Sequence, residues 1–227
     1  MINKLKVYYY ECGSPYPLGR YFFEDYMPHN FEKRKAEMKK LQENISQDFI
    51  NQIGTNFFVK KTNGKGVYEK SYVKNQESNF SDSLKETFAQ CKLDNKKIIC
   101  YFSSSDDEYE LIDGHINRFK SWIDQKKAVK EIADLCHQIG YYFIVRIHPN
   151  LKNKAIKEQK SWDSIGKIIK KYGFKWINHN DPEPTYQILS NSNLIISAGS
   201  TVGIEAIFLE KPSIVIAQCK YDGLFTG

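Results

Sequence analysis

Between residues 96 and 217 short apolar runs and amphipathic stretches take turns, and that alternation limits the folds open to this chain more than any other feature. KKIICYF (96–102), YYFIVRIHP (141–149), FKWIN (174–178), NLIIS (193–197) and PSIVIA (212–217) are short, β-branched and aromatic, and read as strands. Between them, WIDQKKAVKEIADLCHQIG (122–140) sets Ile123, Ala128, Ile132 and Leu135 on one helical face, with Gly140 at the C-cap position. A second helix is expected near 161–172, ended by Gly173, a short one in DPEPTYQILSNS, and a third main helix in TVGIEAIFLE. Strand–helix alternation with short connections specifies βαβ units, right-handed crossovers and a parallel sheet. Strands as continuously apolar as NLIIS and SIVIA fit a sheet covered on both faces. The expected fold class is α/β, a Rossmann-like parallel sheet with flanking helices over 96–227.

The first 95 residues have a different texture, rich in Tyr, Phe, Lys and Asn, and read as a mainly helical or irregular segment. One helix is expected over 32–53, with Met38, Leu41, Ile45, Phe49 and Ile53 at three- and four-residue steps and Gly54 as its stop. YECGSPYPLGRYFF and TNGKG, on either side, read as turns or loops. The chain thus divides into a 1–95 segment and a 96–227 Rossmann-like unit.

Composition removes several classes of function. The net charge of +6 is spread evenly, +3 in residues 1–95 (15 basic, 12 acidic) and +3 in 96–227 (18 basic, 15 acidic). No basic stripe of the kind nucleic-acid binding needs is present, so no nucleic-acid partner is expected. Cys12, Cys91, Cys100, Cys136 and Cys219 form no CxxC pair and read as reduced thiols in apolar surroundings. No apolar run approaches the ~20 residues that span a bilayer. The expectation is a cytoplasmic protein, whose positive charge is compatible with peripheral association at the inner face of the membrane.

In a parallel sheet of this kind ligands bind beyond the carboxyl ends of the strands. Four loops qualify: SSSDDE, RIHPN, NHNDPEP and SAGSTVG. In the last, Gly199 permits positive φ or close approach of a ligand, and Ser200 or Thr201 can cap the helix and leave its N–H groups to an anion. Glu205, one turn in, can accept hydrogen bonds from vicinal hydroxyls such as those of a ribose. Arg146 and His148 stand two residues apart at a strand end and should share a face, with Pro149 stopping the ladder. Such a pair suits a diphosphate, with His148 also a candidate acid or base. Ser103 and Ser104 are candidates to contact a phosphate or sugar, whereas Asp106, Asp107 and Glu108 read as a solvated turn before they read as a metal site. No GxGxxG, P-loop, GxSxG, HExxH or Cys/His cluster occurs, so a classical dinucleotide or P-loop site, a serine hydrolase and a zinc enzyme have no support.

KIICYFSSSDDEYE, W-x-D-Q (122–125), VRIHPN and YQILSNSNLIISAGSTVGIEAIFLEKPSIVI together resemble the carboxyl-terminal half of bacterial capsular and surface polysaccharide biosynthesis proteins. These are glycosyltransferases of the GT-B type, among them the Kdo-transferring capsule enzymes. The resemblance spans roughly 96–221; CDP-glycerol transferases and UDP-sugar 2-epimerases are similar in outline. It implies a unit that holds a nucleotide-activated sugar as substrate, with no metal, no resident cofactor and a polysaccharide or lipid-linked acceptor. It assigns the ribose hydroxyls to Glu205 and the phosphates to Gly199, Ser200 and Thr201. Arg146 and His148 then lie beside the phosphate or sugar, and Asn178 and Tyr186 edge the base or ribose. The family's amino-terminal Rossmann-like domain, which carries acceptor contacts, has no counterpart in the rhythm of 1–95, and the final helices that close the sheet are not seen before Gly227. The expectation is therefore a glycosyltransferase or the donor-binding part of one, with a partner chain or a longer reading frame supplying the rest. Two alternatives stand beside it: a CDP-polyol phosphotransferase of the teichoic-acid type, and a truncated nucleotide-binding fragment without chemistry.

Overall fold

The computed structural model describes residues 8–11, 21–24, 30–63, 76, 78–104, 122, 124–217, 219 and 221. All five expected strands form: β3 (Ile98–Phe102), β4 (Tyr142–Arg146), β5 (Lys175–Ile177), β6 (Leu194–Ser197) and β7 (Ser213–Val215), after an amino-terminal pair β1 (Tyr8–Glu11) and β2 (Tyr21–Glu24). The five make one sheet in the order β5-β4-β3-β6-β7, every neighbour parallel. This is the α/β Rossmann-like architecture that the alternation predicts.

Side chains alternate across the sheet and feed two cores. Ile99, Tyr101, Phe143, Val145, Trp176 and Ile196 face helices α4 (Gln125–Ile139) and α5 (Ile156–Lys171). Ile98, Cys100, Phe102, Ile144, Ile177 and Ile195 face α3 (Asp82–Leu93), α6 (Thr185–Asn191) and α7 (Val202–Phe208). Full burial of each large side chain contributes roughly 1.5–3 kcal/mol. The described thiols Cys91, Cys100, Cys136 and Cys219 are buried, and burial pushes the Cys136 pKa up to about 11.

The helices depart from expectation in instructive ways. Helix α4 starts at Gln125, where the Asp124 side chain accepts from the Lys127 amide at 2.8 Å, and it buries Ala128, Val129, Ile132, Ala133 and Cys136. Leu135, expected on that stripe, is 54% exposed, because the buried arc is centred one residue further round. Helix α5 begins at Ile156, five residues before the sequence suggested. Helix α3 carries no strong apolar signature, yet Leu84 and Cys91 seal the second core.

The amino-terminal segment differs more. The single helix expected over 32–53 is two, α1 (Phe31–Glu43) and α2 (Gln47–Thr62), with Ser46 capping the second through the Phe49 amide at 3.3 Å. Gly54 is no stop; it lies inside α2, which runs a further two turns. The residues flanking 12–20, expected as loop, pair antiparallel, Tyr8 opposite Glu24.

Candidate functional site

The strand ends lie level. Val215, Ser197, Phe102, Arg146 and Ile177 stand in register across the sheet, so the chain leaves each strand at one rim. The strand order reverses between β3 and β6, since β3 leads outward through β4 to β5 and β6 leads outward to β7. In open α/β sheets the crevice for a ligand opens at such a reversal. Here the two loops that flank it are Ser103-Ser104 after β3 and Ala198-Gly199-Ser200 after β6, two of the four picked out in the sequence.

Beyond β3 the backbone is held from both sides. The Ser103 amide donates to the Arg146 carbonyl at 3.1 Å, and its hydroxyl accepts from the His148 amide at 2.8 Å. Gln125, fully buried, braces the next residue: its Oε1 accepts from the Ser104 amide at 2.9 Å and from the Tyr101 hydroxyl at 3.0 Å, and its Nε2 donates to the Ser104 carbonyl at 2.8 Å. Gln125 belongs to the W-x-D-Q stretch, whose local pattern carries no signal of a site. Its role is visible only once α4 is seen to start against the end of β3.

His148 shares a small cavity with Ser103, Ser104, Lys154 and Trp162. Strand β4 ends at Arg146, and His148 opens a 3-10 helix (Pro149–Asn153), its Nδ1 accepting from the Asn150 amide at 3.1 Å. A neutral ring in that bond carries its hydrogen on Nε2. Burial, then the positive charges of Lys154 and Arg146, push the imidazole pKa down to about 4, so the ring is neutral at pH 7.

Arg146 goes elsewhere. Only 3% exposed, its guanidinium donates to the Asp181 carbonyl at 2.8 Å and to the Asn178 and Glu183 carbonyls at 3.4 Å each. It organises the loop after β5. Asn178 completes that loop: its amide donates to Asp181 Oδ2 at 2.7 Å, and its Oδ1 accepts from the His179 amide at 2.8 Å. Asn178 sits at the end of an outer strand, two strands from β3, hence roughly 10 Å away across the ladder.

The loop after β6 is tight. Gly199 has φ of 85°, a conformation that excludes most side-chain-bearing residues. Thr201 occupies the cap position in helical backbone geometry and makes no side-chain cap bond, while Ser200 Oγ accepts from the Val202 amide at 3.4 Å. The cap expected of these hydroxyls is therefore formed, weakly, by Ser200 alone. A Cβ on Gly203 would stand 2.6 Å from the Tyr221 hydroxyl and 2.7 Å from Ser197 Oγ, so only glycine lets the helix start so close to the strand end. Tyr221 donates to the Ser200 carbonyl and fixes the loop from outside.

Glu205 is 3% exposed. One carboxylate oxygen accepts from the Tyr186 hydroxyl at 2.9 Å, and the other pairs with Lys61, whose ammonium also donates to Thr201 Oγ1 at 2.9 Å. Burial and then the Glu205 charge raise the Tyr186 pKa, so that phenol stays a donor. The structure thus gathers Ser103, Ser104 and His148 in one group, Tyr186, Thr201 and Glu205 in a second, and Arg146 with Asn178 in a third. Lys61, 144 residues from Glu205, carries no signal in the sequence. Asp106, Asp107 and Glu108 lie outside the described residues. Among the described residues there is no cluster of three or more His, Cys, Asp or Glu, and no helix is long and apolar enough to cross a membrane.

No family model matches the chain, and no curated protein sequence matches it. Several solved structures are similar to it. Thermosulfurimonas dismutans KpsC, a beta Kdo 2,7 transferase, is 18% identical, with 68% of this chain and 47% of that one covered at a TM-score of 0.37. MnaA of S. aureus, solved with UDP, is 14% identical over 64% of this chain and 34% of its own, at 0.39. The wall teichoic acid polymerase TagF is 19% identical over 57% and 28%, at 0.31. The chain spans less than half the length of each.

Proposed function

We propose that residues 96–221 are the donor-binding half of a GT-B type glycosyltransferase, which holds a nucleotide-activated sugar during synthesis of a surface or capsular polysaccharide. The observation that carries this reading is the reversal of strand order between β3 and β6, with hydroxyl- and glycine-bearing loops at both carboxyl ends. Gly199, Ser200 and Thr201 line the phosphates, and the buried carboxylate of Glu205, oriented by Tyr186, accepts the ribose hydroxyls. Ser104 faces the ligand from a backbone that Gln125 holds rigid. His148, neutral with its hydrogen on Nε2, acts as a hydrogen-bond donor to the leaving phosphate oxygen and not as a base through that atom. Arg146 serves the site indirectly, by holding the 178–183 loop. The acceptor, polysaccharide or lipid-linked, is met by chain outside this unit or by a partner chain.

Calorimetric titration with UDP, CDP and CMP tests the reading. UDP binding supports hexose transfer, CMP a Kdo-like donor, and CDP a polyol phosphate at the same loops. Failure of all three to bind the wild type and every variant described below defeats it. Glu205→Ala in a protein that stays folded should weaken the preferred nucleotide by about 1–3 kcal/mol, the scale for removing a charged partner from hydroxyl donors.

A further inference from the structure

Helix α2 reaches the Glu205 site from the other end of the chain. Its last turn lays Lys61 on the Glu205 carboxylate and on Thr201, and one turn earlier Phe58 stacks on Phe208 at the end of α7, ring centroids 4.5 Å apart and planes within 13°. Lys61 also lies 5.8 Å from the centre of the Phe57 ring. With Tyr186 on the second oxygen, both carboxylate oxygens of Glu205 already have partners, and the residue is 3% exposed. While α2 is docked, burial under Lys61 and Tyr186 closes the carboxylate to a pair of ribose hydroxyls, although its oxygens keep lone pairs to offer. The outward side of α2 is not held in this way: Phe49, Ile53 and Phe57 are 49%, 53% and 38% exposed. Among the described residues the helix is fastened to the sheet unit by one stacked ring pair and by Lys61, through its ion pair with Glu205 and its hydrogen bond to Thr201, a contact small enough to be exchanged.

We propose that α2 is an internal strap that competes with the ligand for Glu205, so that a vicinal diol enters only as Lys61 leaves. This rests on the assignment of Glu205 to the ribose hydroxyls. The chemistry of the exchange is balanced: the carboxylate gives up one ammonium donor and gains hydroxyl donors, while Lys61 returns to water or to the incoming phosphates. The apparent affinity of the wild type is then lowered by the fraction of molecules in which the strap is docked.

The test is calorimetry with UDP, CDP and CMP on the full chain, the wild type beside Lys61→Met and Phe58→Ala. Phe58→Ala loosens the strap without touching any charge. Both variants should bind the preferred nucleotide tighter by about threefold or more. The loss caused by Glu205→Ala should also be larger in the Lys61→Met background than in the wild type, because in the wild type that substitution frees the strap as well. Nucleotide should speed hydrogen exchange of the 47–62 amides. Binding in the variants but not in the wild type is the strongest form of the same result. Wild-type affinity in both variants removes the strap and leaves the proposed function standing. Weaker binding in Lys61→Met makes the lysine a ligand group and overturns the competition. Slower exchange in 47–62 with nucleotide makes α2 a lid and overturns it too. No binding by any of the proteins overturns the function and the strap together.

Discussion

Helices α4 and α2 carry apolar residues at the same three- and four-residue spacing and meet opposite fates. In α4, Ala128, Val129, Ile132, Ala133 and Cys136 are buried against the sheet. In α2 no residue is buried, and Phe49, Ile53 and Phe57 face solvent along one side. The pattern states that a helix has an apolar face; whether the face is covered depends on a second surface of matching size. The sheet offers α4 such a surface, because β3 and β4 are apolar on both faces. Among the described residues, the side-chain contacts of helix α2 with the sheet unit are to α7 and its cap, where Phe208 takes an aromatic ring and Glu205 and Thr201 take the Lys61 ammonium. A large, continuous contact makes a core element; a contact of a few side chains is what the proposed exchange of α2 requires.

Four measurements break or sharpen this contrast. The largest effect should come from Trp162→Ala in α5, a side chain 2% exposed and set against Trp176 at 6.3 Å between ring centroids. Loss of that ring should destabilise by about 3–5 kcal/mol in urea unfolding. A loss below ~1 kcal/mol would mean that the sheet-facing helices are held no better than α2.

Next comes acid. His148 has its folded pKa pushed down to about 4 from 6.5, so the unfolded chain takes up the proton first. Its contribution is full above pH 6.5 and is lost as the pH falls toward 4, by at most about 3 kcal/mol for a shift of this size. Unfolding free energies of the wild type and His148→Gln should therefore converge on acidification across that window. Parallel curves would show that the ring is not held neutral at the strand ends.

Gly203→Ala places a methyl group against Tyr221 and Ser197, and Tyr221 has little room to yield because it is itself buried. A loss of about 1–3 kcal/mol in melting or urea experiments is expected for such overpacking. Wild-type stability would mean that the loop after β6 is as loosely held as α2. The smallest effect belongs to α2 itself. Ile53→Gln, at a 53% exposed position, should shift stability by no more than about 0.5 kcal/mol. A loss of several kcal/mol would show that the apolar side of α2 is covered in solution and would end the contrast.

The strands were legible because each is a run of local residues, and apolar β-branched segments such as IICYF and LIIS have few other uses in a chain of this kind. Gly140 and Gly173, both at φ of 75°, mark helix ends for an equally local reason. The rim of hydroxyls and glycines was legible too, since a parallel strand followed by a polar turn puts that turn at the carboxyl end. The site was less so. Arg146 and His148 looked like one pair from their spacing, but the strand stops at Arg146, and the two side chains serve different loops.

By itself the sequence determined the alternation, the parallel sheet and the loops that meet at its carboxyl rim, because each follows from backbone preference and side-chain period over fewer than twenty residues. Tertiary structure alone decided the strand order, the division of Arg146 from His148, the bracing of Ser104 by Gln125, and the arrival of Lys61 at Glu205. Each of these joins groups 21 to 144 residues apart in the chain. Contacts at that separation are set by which surfaces remain uncovered once the sheet has formed, a quantity that no local pattern contains.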